Sequence, residues 1–156
     1  MNQMLIRPLQ AGDIPAVAAM LRELAREFIV HESTLEGAST FLAENNAQGI
    51  RGFLASGHVY HVALIEGELA GFVAIRGCNH LFHLFVGKRW QRRGVGRALW
   101  VTARAAAQGS GGDGSFTVNA SNFAVPVYGA LGFVRTGPTA CVKGLYFNPM
   151  RLARRD

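Results

Sequence analysis

The sequence predicts an α/β domain built on a mixed sheet flanked by helices. Three β-prone runs, Val59–Ile65, 69–76 and 81–86, are separated only by short turns and read as an antiparallel meander. An amphipathic helical period precedes them, and strands interleaved with helices follow. The 156 residues fit one domain spanning the chain.

The elements follow in order. A short strand over Met4–Pro8 leads to Asp13, a candidate helix N-cap with Pro15 in the first turn. Ile14, Val17, Leu21, Leu24 and Phe28 then recur at three- and four-residue spacing, which predicts a helix over 14–30. Residues 31–57 scatter Phe41, Leu42, Ile50, Phe53 and Leu54 among polar residues and glycines, the pattern of one or two short helices. The hairpin turn is Glu66-Gly67-Glu68, and Gly77-Cys78-Asn79 leads into the third strand of the meander. A helix over 94–108 ends in the glycine-rich stretch 109–115, too short to link domains. A strand at 116–118, a short helix over 123–131 closed by Gly132, and two strands within 133–150 complete the prediction.

Composition narrows the function classes. With 49% hydrophobic and 17% charged residues the chain is too apolar for disorder, and no run of about 18 apolar residues could cross a membrane as a helix. The N-terminal stretch Met1-Asn2-Gln3-Met4 and onward lacks a basic segment followed by an apolar run, which argues against a secretory signal. Cys78 and Cys141 match neither a metal spacing nor a disulfide framework, so a reducing, cytoplasmic setting and no metal are expected. The net charge of +6 is unevenly spread: residues 1–68 hold eight acidic and four basic residues, residues 69–156 two acidic and twelve basic. The second half should attract an anion, whether nucleic acid, an acidic membrane surface or a phosphorylated small molecule.

The sharpest feature is the run from Leu84-Phe85-Val86 through Gly87-Lys88-Arg89-Trp90 to Gln91-Arg92-Arg93-Gly94-Val95-Gly96-Arg97. A strand passes through a basic loop into a helix whose first turn contains two glycines, so backbone N–H groups can meet a ligand unobstructed. Lys88, Arg89, Arg92, Arg93 and Arg97 surround that turn and suit a ligand carrying several phosphates. The run is neither a P-loop nor a three-glycine dinucleotide fingerprint, which removes nucleotide hydrolysis and hydride transfer from consideration.

These residues resemble the GCN5-related N-acetyltransferase (GNAT) family, whose acetyl-CoA loop has the pattern Gln/Arg-x-x-Gly-x-Gly/Ala. Gln91-Arg92-Arg93-Gly94-Val95-Gly96 fits every fixed position, and Leu84-Phe85-Val86 resembles the family's central strand. A second block, from Ser121-Asn122 through Ala124 and Tyr128 to Gly132-Phe133, resembles the segment Asn-x-x-Ala-x-x-x-Tyr-x-x-x-Gly-Phe. Ser121 departs from it, standing where the family often has asparagine, with Asn119 and Asn122 nearby; any of the three could bond the pantetheine arm.

The resemblance implies a mostly antiparallel mixed sheet whose central strand pair splays, here 81–86 from 116–118, with acetyl-CoA as co-substrate in the gap. Backbone at Leu84, Phe85 and Val86 would hold the pantetheine arm, and residues 92–97 the pyrophosphate. It implies direct attack by a primary amine, with Tyr128 as the acid that protonates the departing thiolate, because the family's matching tyrosine points its hydroxyl at the coenzyme sulfur. His80 and His83 lie on or beside the central strand, and His80 is the leading candidate for the base. Glu32 is the leading carboxylate candidate, since His31, Glu32 and Glu36 fall in the segment that lines the family's acceptor site. His58 and His61 are expected to be structural. The acceptor could be a small-molecule amine or an amine of a peptide or protein, and a homodimer is compatible with such folds.

Two further readings use the same residues. A nucleic-acid-binding module would employ the arginines together with a basic end, Arg151, Arg154 and Arg155, but no aromatic residues beyond Trp90 are interleaved for stacking. A non-catalytic acetyl-CoA sensor would keep the loop and lack turnover.

Overall fold

The computed structural model describes residues 3–154; Arg155 of the basic end and the first two residues of the N-terminal stretch lie outside them. The strands and helices, in order, are β1 (Met4–Pro8), α1 (Ile14–Phe28), α2 (Leu35–Glu44), α3 (Ala47–Ala55), β2 (Val59–Ile65), β3 (Glu68–Arg76), β4 (His80–Val86), α4 (Val95–Gly109), β5 (Phe116–Ala120), α5 (Val125–Ala130), β6 (Val134–Arg135), β7 (Ala140–Val142) and β8 (Leu145–Leu152). The strands pair in the order β1-β2-β3-β4-β5-β8-β6, with β7 also on β8.

Each turn in the meander is set by local chemistry. Glu66 and Gly67 both take positive φ, 54° and 78°, the two-residue hairpin geometry that matches the strands' twist. Pairing is antiparallel from β1 through β4 and again between β5 and β8. Between β4 and β5 it is parallel and limited to His80 with Thr117 and Leu81 with Val118. Beyond those residues the two strands carry no mutual pairing, so the sheet is split along its middle.

The sheet is covered on both faces. On one, Val17 and Leu21 of α1 and Ile50 of α3 pack on Tyr60, Val62 and Phe72; each such aliphatic chain contributes about 1.5–3 kcal/mol by leaving water. On the other, Leu99, Trp100 and Ala103 of α4 pack on Val73, Leu81, Phe116 and Val118, joined by Tyr128 and Phe133. All of the predicted α1 face is buried except Phe28, half-buried, which stacks on Phe123 with ring centroids 4.1 Å apart.

Some expectations shift. Asp13 immediately precedes α1 but does not cap it. Its carboxylate accepts from the Gln10 backbone N–H, closing a 3-10 turn over residues 11–13, and binds Arg7 at 2.7 Å. The Arg7 guanidinium holds the Asp13 carboxyl below its ordinary range. The 31–57 region resolves into a 3-10 turn at 30–32 and two helices, each capped by a side chain: Thr34 accepts from Gly37 N–H, and Asn46 from Gly49 N–H. The C-terminal stretch forms three strands rather than two.

Candidate active site

β4 forms one edge of the split in the sheet. Its register against β3 jumps so that Ala74 faces His83 and Ile75 faces Leu81, which leaves Phe82 as an extra residue, a β-bulge. Phe82 and His83 consequently both lie on the α1/α3 face, packed on Phe53, while Leu81 and Leu84 face α4.

Hydrogen-bond alternation decides which backbone groups face the gap. Gly87 N–H donates to Ala70 C=O, so 87 and 70 form a bonded pair. Alternation along an antiparallel ladder then makes Phe85–Phe72 bonded as well, and Leu84–Val73 and Val86–Gly71 the non-bonded pairs. The polar backbone of Leu84 and Val86 therefore points away from β3, into the split. Val86 C=O already accepts from Gln91 Nε2 at 3.0 Å, which ties the basic loop to the strand end. Phe85, by the same alternation, spends its backbone on β3.

The loop between β4 and α4 is held from several sides. Lys88 pairs with Glu27 at 2.7 Å and Arg89 with Glu68 at 3.0 Å, so both expected anion ligands are directed at carboxylates. Trp90 is buried, with the guanidinium carbons of Arg89 and Arg93 at 4.6 and 5.6 Å from its ring centre. Its ring is thus unavailable for base stacking. Arg92 and Gly94 adopt positive φ, 64° and 81°. Gly94 precedes α4 with no side-chain cap, leaving the N–H groups of Val95, Gly96 and Arg97 open at the positive end of the helix. A Cβ on Gly96 would lie 3.5 Å from Val86 Cγ2, showing how closely the helix start approaches the strand. Arg92 and Arg97, among the described residues, have no carboxylate partner.

Tyr128 on α5 is 7% exposed and packs edge-on against Phe133. Burial raises its phenol well above its ordinary range, so the hydroxyl stays protonated. Among the described residues no group bonds that hydroxyl. Ser121 Oγ accepts from Ala124 N–H at 3.3 Å and starts the turn into α5.

The expected base candidates are placed apart. His80 sits where β4 and β5 still pair, its Nδ1 2.8 Å from Thr117 Oγ1, and burial with Arg76 and His58 nearby lowers its pKa to about 4. A group so weakly basic is a poor proton acceptor at neutral pH. His83 is buried between Tyr60 Oη, 3.3 Å from Nδ1, and Asn45 Oδ1, 3.0 Å from Nε2. Asn45 Nδ2 donates to Phe41 C=O at 3.0 Å, which turns Oδ1 toward the ring. Nε2 therefore carries the proton and Nδ1 accepts from Tyr60. Burial pushes His83 down to about 3. His58 and His61 are partly or fully buried, each with an Nδ1 lacking a partner among the described residues.

Glu32 and Asn122, distant in sequence, meet: Asn122 Nδ2 donates to Glu32 Oε2, and His31 Nε2 lies 3.5 Å from Oε1. The turn between β7 and β8 closes over the same segment, with Thr34 N–H donating to Gly144 C=O at 3.1 Å. Asn122 is thereby engaged by Glu32 beside the 30–46 segment and by Asn148. Sequence reasoning missed Asn45, Thr139 and Asn148. Only Asn148 left a signal, as a polar residue in the inward-facing alternation with Met150 and Leu152. Among the described residues no cluster of three or more His, Cys, Asp or Glu could hold a metal, and no helix is long and apolar enough to cross a membrane.

A sheet split beside a bulged strand, with an uncapped glycine-bearing helix start at its mouth, defines an acetyltransferase-type fold. The chain belongs to the acetyltransferase (GNAT) domain family, whose model matches residues 29–154. Solved structures agree on the fold. A GCN5-related N-acetyltransferase from Rhodopseudomonas palustris aligns at 23% identity and TM-score 0.78, over 98% of this chain and 97% of that one. PaiA N-acetyltransferase from Thermoplasma acidophilum, in complex with coenzyme A, aligns at 15% identity and TM-score 0.76, over 96% and 98%. YncA from Salmonella typhimurium, solved with acetyl-CoA, aligns at 20% identity and TM-score 0.70, over 99% and 95%. No curated protein sequence matches the chain at a significant level.

Proposed function

We propose that the chain, acting as one domain over its whole length, transfers an acetyl group from acetyl-CoA to a primary amine by direct attack of that amine. The observation that carries this reading is a coincidence in space: the open N–H groups of 95–97 lie at the end of the strand whose Leu84 and Val86 backbone faces the split. A pyrophosphate fits the helix start, where charge and free donors favour an anion and glycine leaves room. An extended amide-bearing arm fits beside β4 as an added strand.

Acetyl-CoA supplies the acetyl group already activated as a thioester. Arg92, Arg93 and Arg97 add charge around the phosphate position, while Lys88 and Arg89 fix the loop through Glu27 and Glu68. Gln91 holds the loop to Val86. Phe85 packs on Phe72 and keeps the strand in place, and Ser121, which starts the turn into α5, and the exposed Asn119 are the remaining candidates for the pantetheine amides. Tyr128 Oη, protonated and unpartnered within the described residues, delivers the proton that the leaving thiolate needs. Glu32 receives the acceptor's ammonium at Oε1, the oxygen that Asn122 does not engage and that His31 Nε2 approaches at 3.5 Å, and the amine gives up its proton to solvent before attack. His80, tied to Thr117 at the closed end of the split, is a structural residue in this reading.

The buried, arginine-covered Trp90 weighs against nucleic acid, since it offers no stacking face. Incubation with acetyl-CoA and a panel of primary amines, following free thiol, tests the proposal. Amine-dependent thiol release with formation of the acetylated amine supports it, and coenzyme binding with no turnover on any amine class leaves a sensor.

A further inference from the structure

Asn148 is the most deeply buried polar side chain on the acceptor side, 1% exposed, and every hydrogen of its amide is used. Nδ2 donates to the Ala120 backbone carbonyl at 3.1 Å and to Asn122 Oδ1 at 2.8 Å, while Oδ1 accepts from Thr139 Oγ1 at 2.7 Å. Thr139 Oγ1 in turn accepts from Arg135 Nη2 at 3.1 Å. Together with the Asn122–Glu32 bond this makes a chain from a guanidinium on β6 to a carboxylate near α1, with every donor oriented the same way.

One contact fixes all of these orientations. A backbone carbonyl only accepts, so the bond to Ala120 forces Asn148 to present its NH2 there and, with its second hydrogen, to Asn122. Asn122 must then present oxygen to Asn148 and NH2 to Glu32. Pro149 follows Asn148 and restricts it to extended backbone, so the anchor is set by the chain itself.

We propose that Asn148 is a positioning residue for the amine acceptor: anchored on Ala120, it dictates which face Asn122 turns to Glu32 and thereby sets the carboxylate that receives the acceptor. The inference rests on the reading of Glu32 given above. Asn148→Asp keeps the shape and the bond from Thr139 but cannot donate, so Asn122 is driven to turn its NH2 inward and its oxygen toward Glu32.

The test uses n-butylamine as acceptor with the full-length chain, measuring its KM and kcat beside the Kd of coenzyme A. Asn148→Asp and Asn122→Leu should each raise the KM for n-butylamine about tenfold while coenzyme Kd stays within about twofold. Neither should raise it further in a Glu32→Gln background, because both act through that carboxylate. Asn148→Ser is neutral and too short to reach Asn122, so it too should raise the KM for n-butylamine about tenfold, again only when Glu32 is present. That variant decides the matter should a buried aspartate prevent folding. An unchanged KM in Asn148→Ser or in folded Asn148→Asp, or an increase that persists in Glu32→Gln, overturns the inference. If Glu32→Gln itself leaves KM unchanged, or if wild type does not acetylate n-butylamine, the role assigned to Glu32 fails first, and the two failures are distinguishable.

Discussion

The two sides of the split sheet that we propose for coenzyme and for acceptor are built by opposite means. The first is one continuous stretch, 84–97, whose working groups are backbone N–H and C=O exposed by glycines and by a strand edge. The second is assembled from Glu32, Asn122, Thr139 and Asn148, four side chains on separate segments that meet only through hydrogen bonds. Backbone donors at a helix start need only the right local conformation, whereas a side-chain network needs the whole fold to bring its members within reach. The coenzyme side should therefore fail through local obstruction, and the acceptor side through loss of any distant member.

The strongest test of that contrast is Gly96→Glu. The space beside Val86 admits a Cβ at ordinary contact distance, so the fold should survive, but a carboxylate would occupy the anion position. Losing two charge-assisted bonds at about 1.5–3 kcal/mol each corresponds to coenzyme binding weakened at least about 100-fold. Calorimetry that finds affinity unchanged removes the helix start from the site.

Next in size is Tyr128→Phe, which keeps the packing on Phe133 and deletes only the hydroxyl. Loss of a general acid predicts kcat lower by about 10- to 100-fold with coenzyme affinity unaltered. The measurement requires conditions in which chemistry limits turnover, since slow product release would mask it. A kcat within about twofold of wild type assigns the proton to water or to the acceptor's own ammonium.

Glu32→Gln should raise acceptor KM about tenfold and leave coenzyme binding intact. A rise in coenzyme Kd instead would merge the two sides that the comparison separates.

The smallest expected effect is acid sensitivity centred on His80 and His83, away from the 84–97 stretch. His83 and His80 have folded pKa values of about 3 and about 4, below the ordinary 6.5, so the unfolded chain binds more protons between those limits. Their contribution to stability is complete above pH 6.5 and is lost as pH falls toward 4 for His80 and toward 3 for His83. His83 also holds the end of α2 through Asn45, and the coenzyme loop has no histidine. Thermal midpoints should drop by a few degrees between pH 7 and pH 5, and hydrogen exchange should accelerate in 35–46 before 84–97. Equal acceleration in both segments would contradict the contrast.

The same contrast explains which features are legible in the sequence. The helix 14–28, the meander and the turn at Glu66-Gly67 follow from period and turn chemistry, which act over a few residues. Lys88 and Arg89 look like phosphate ligands in sequence because nothing local reveals Glu27 and Glu68 across the fold. Asp13 looks like a cap to α1 for the same reason: its competing partner, Arg7, arrives from β1. The bulge at Phe82, which puts His83 on the α1/α3 face, is a matter of register against β3 and has no signature in β4 alone.

By itself, then, the sequence determined the α/β class, most of the elements and the glycine-bearing turn before α4, because each depends on neighbours within one or two helical turns. Tertiary structure decided which basic residues pair with carboxylates, that His80 is bound to Thr117 while His83 is locked to Tyr60 and Asn45, and that Glu32 meets Asn122, itself bonded to Asn148. A hydrogen bond requires its partners within about 3 Å, and only the folded sheet brings residues 32, 122 and 148 that close.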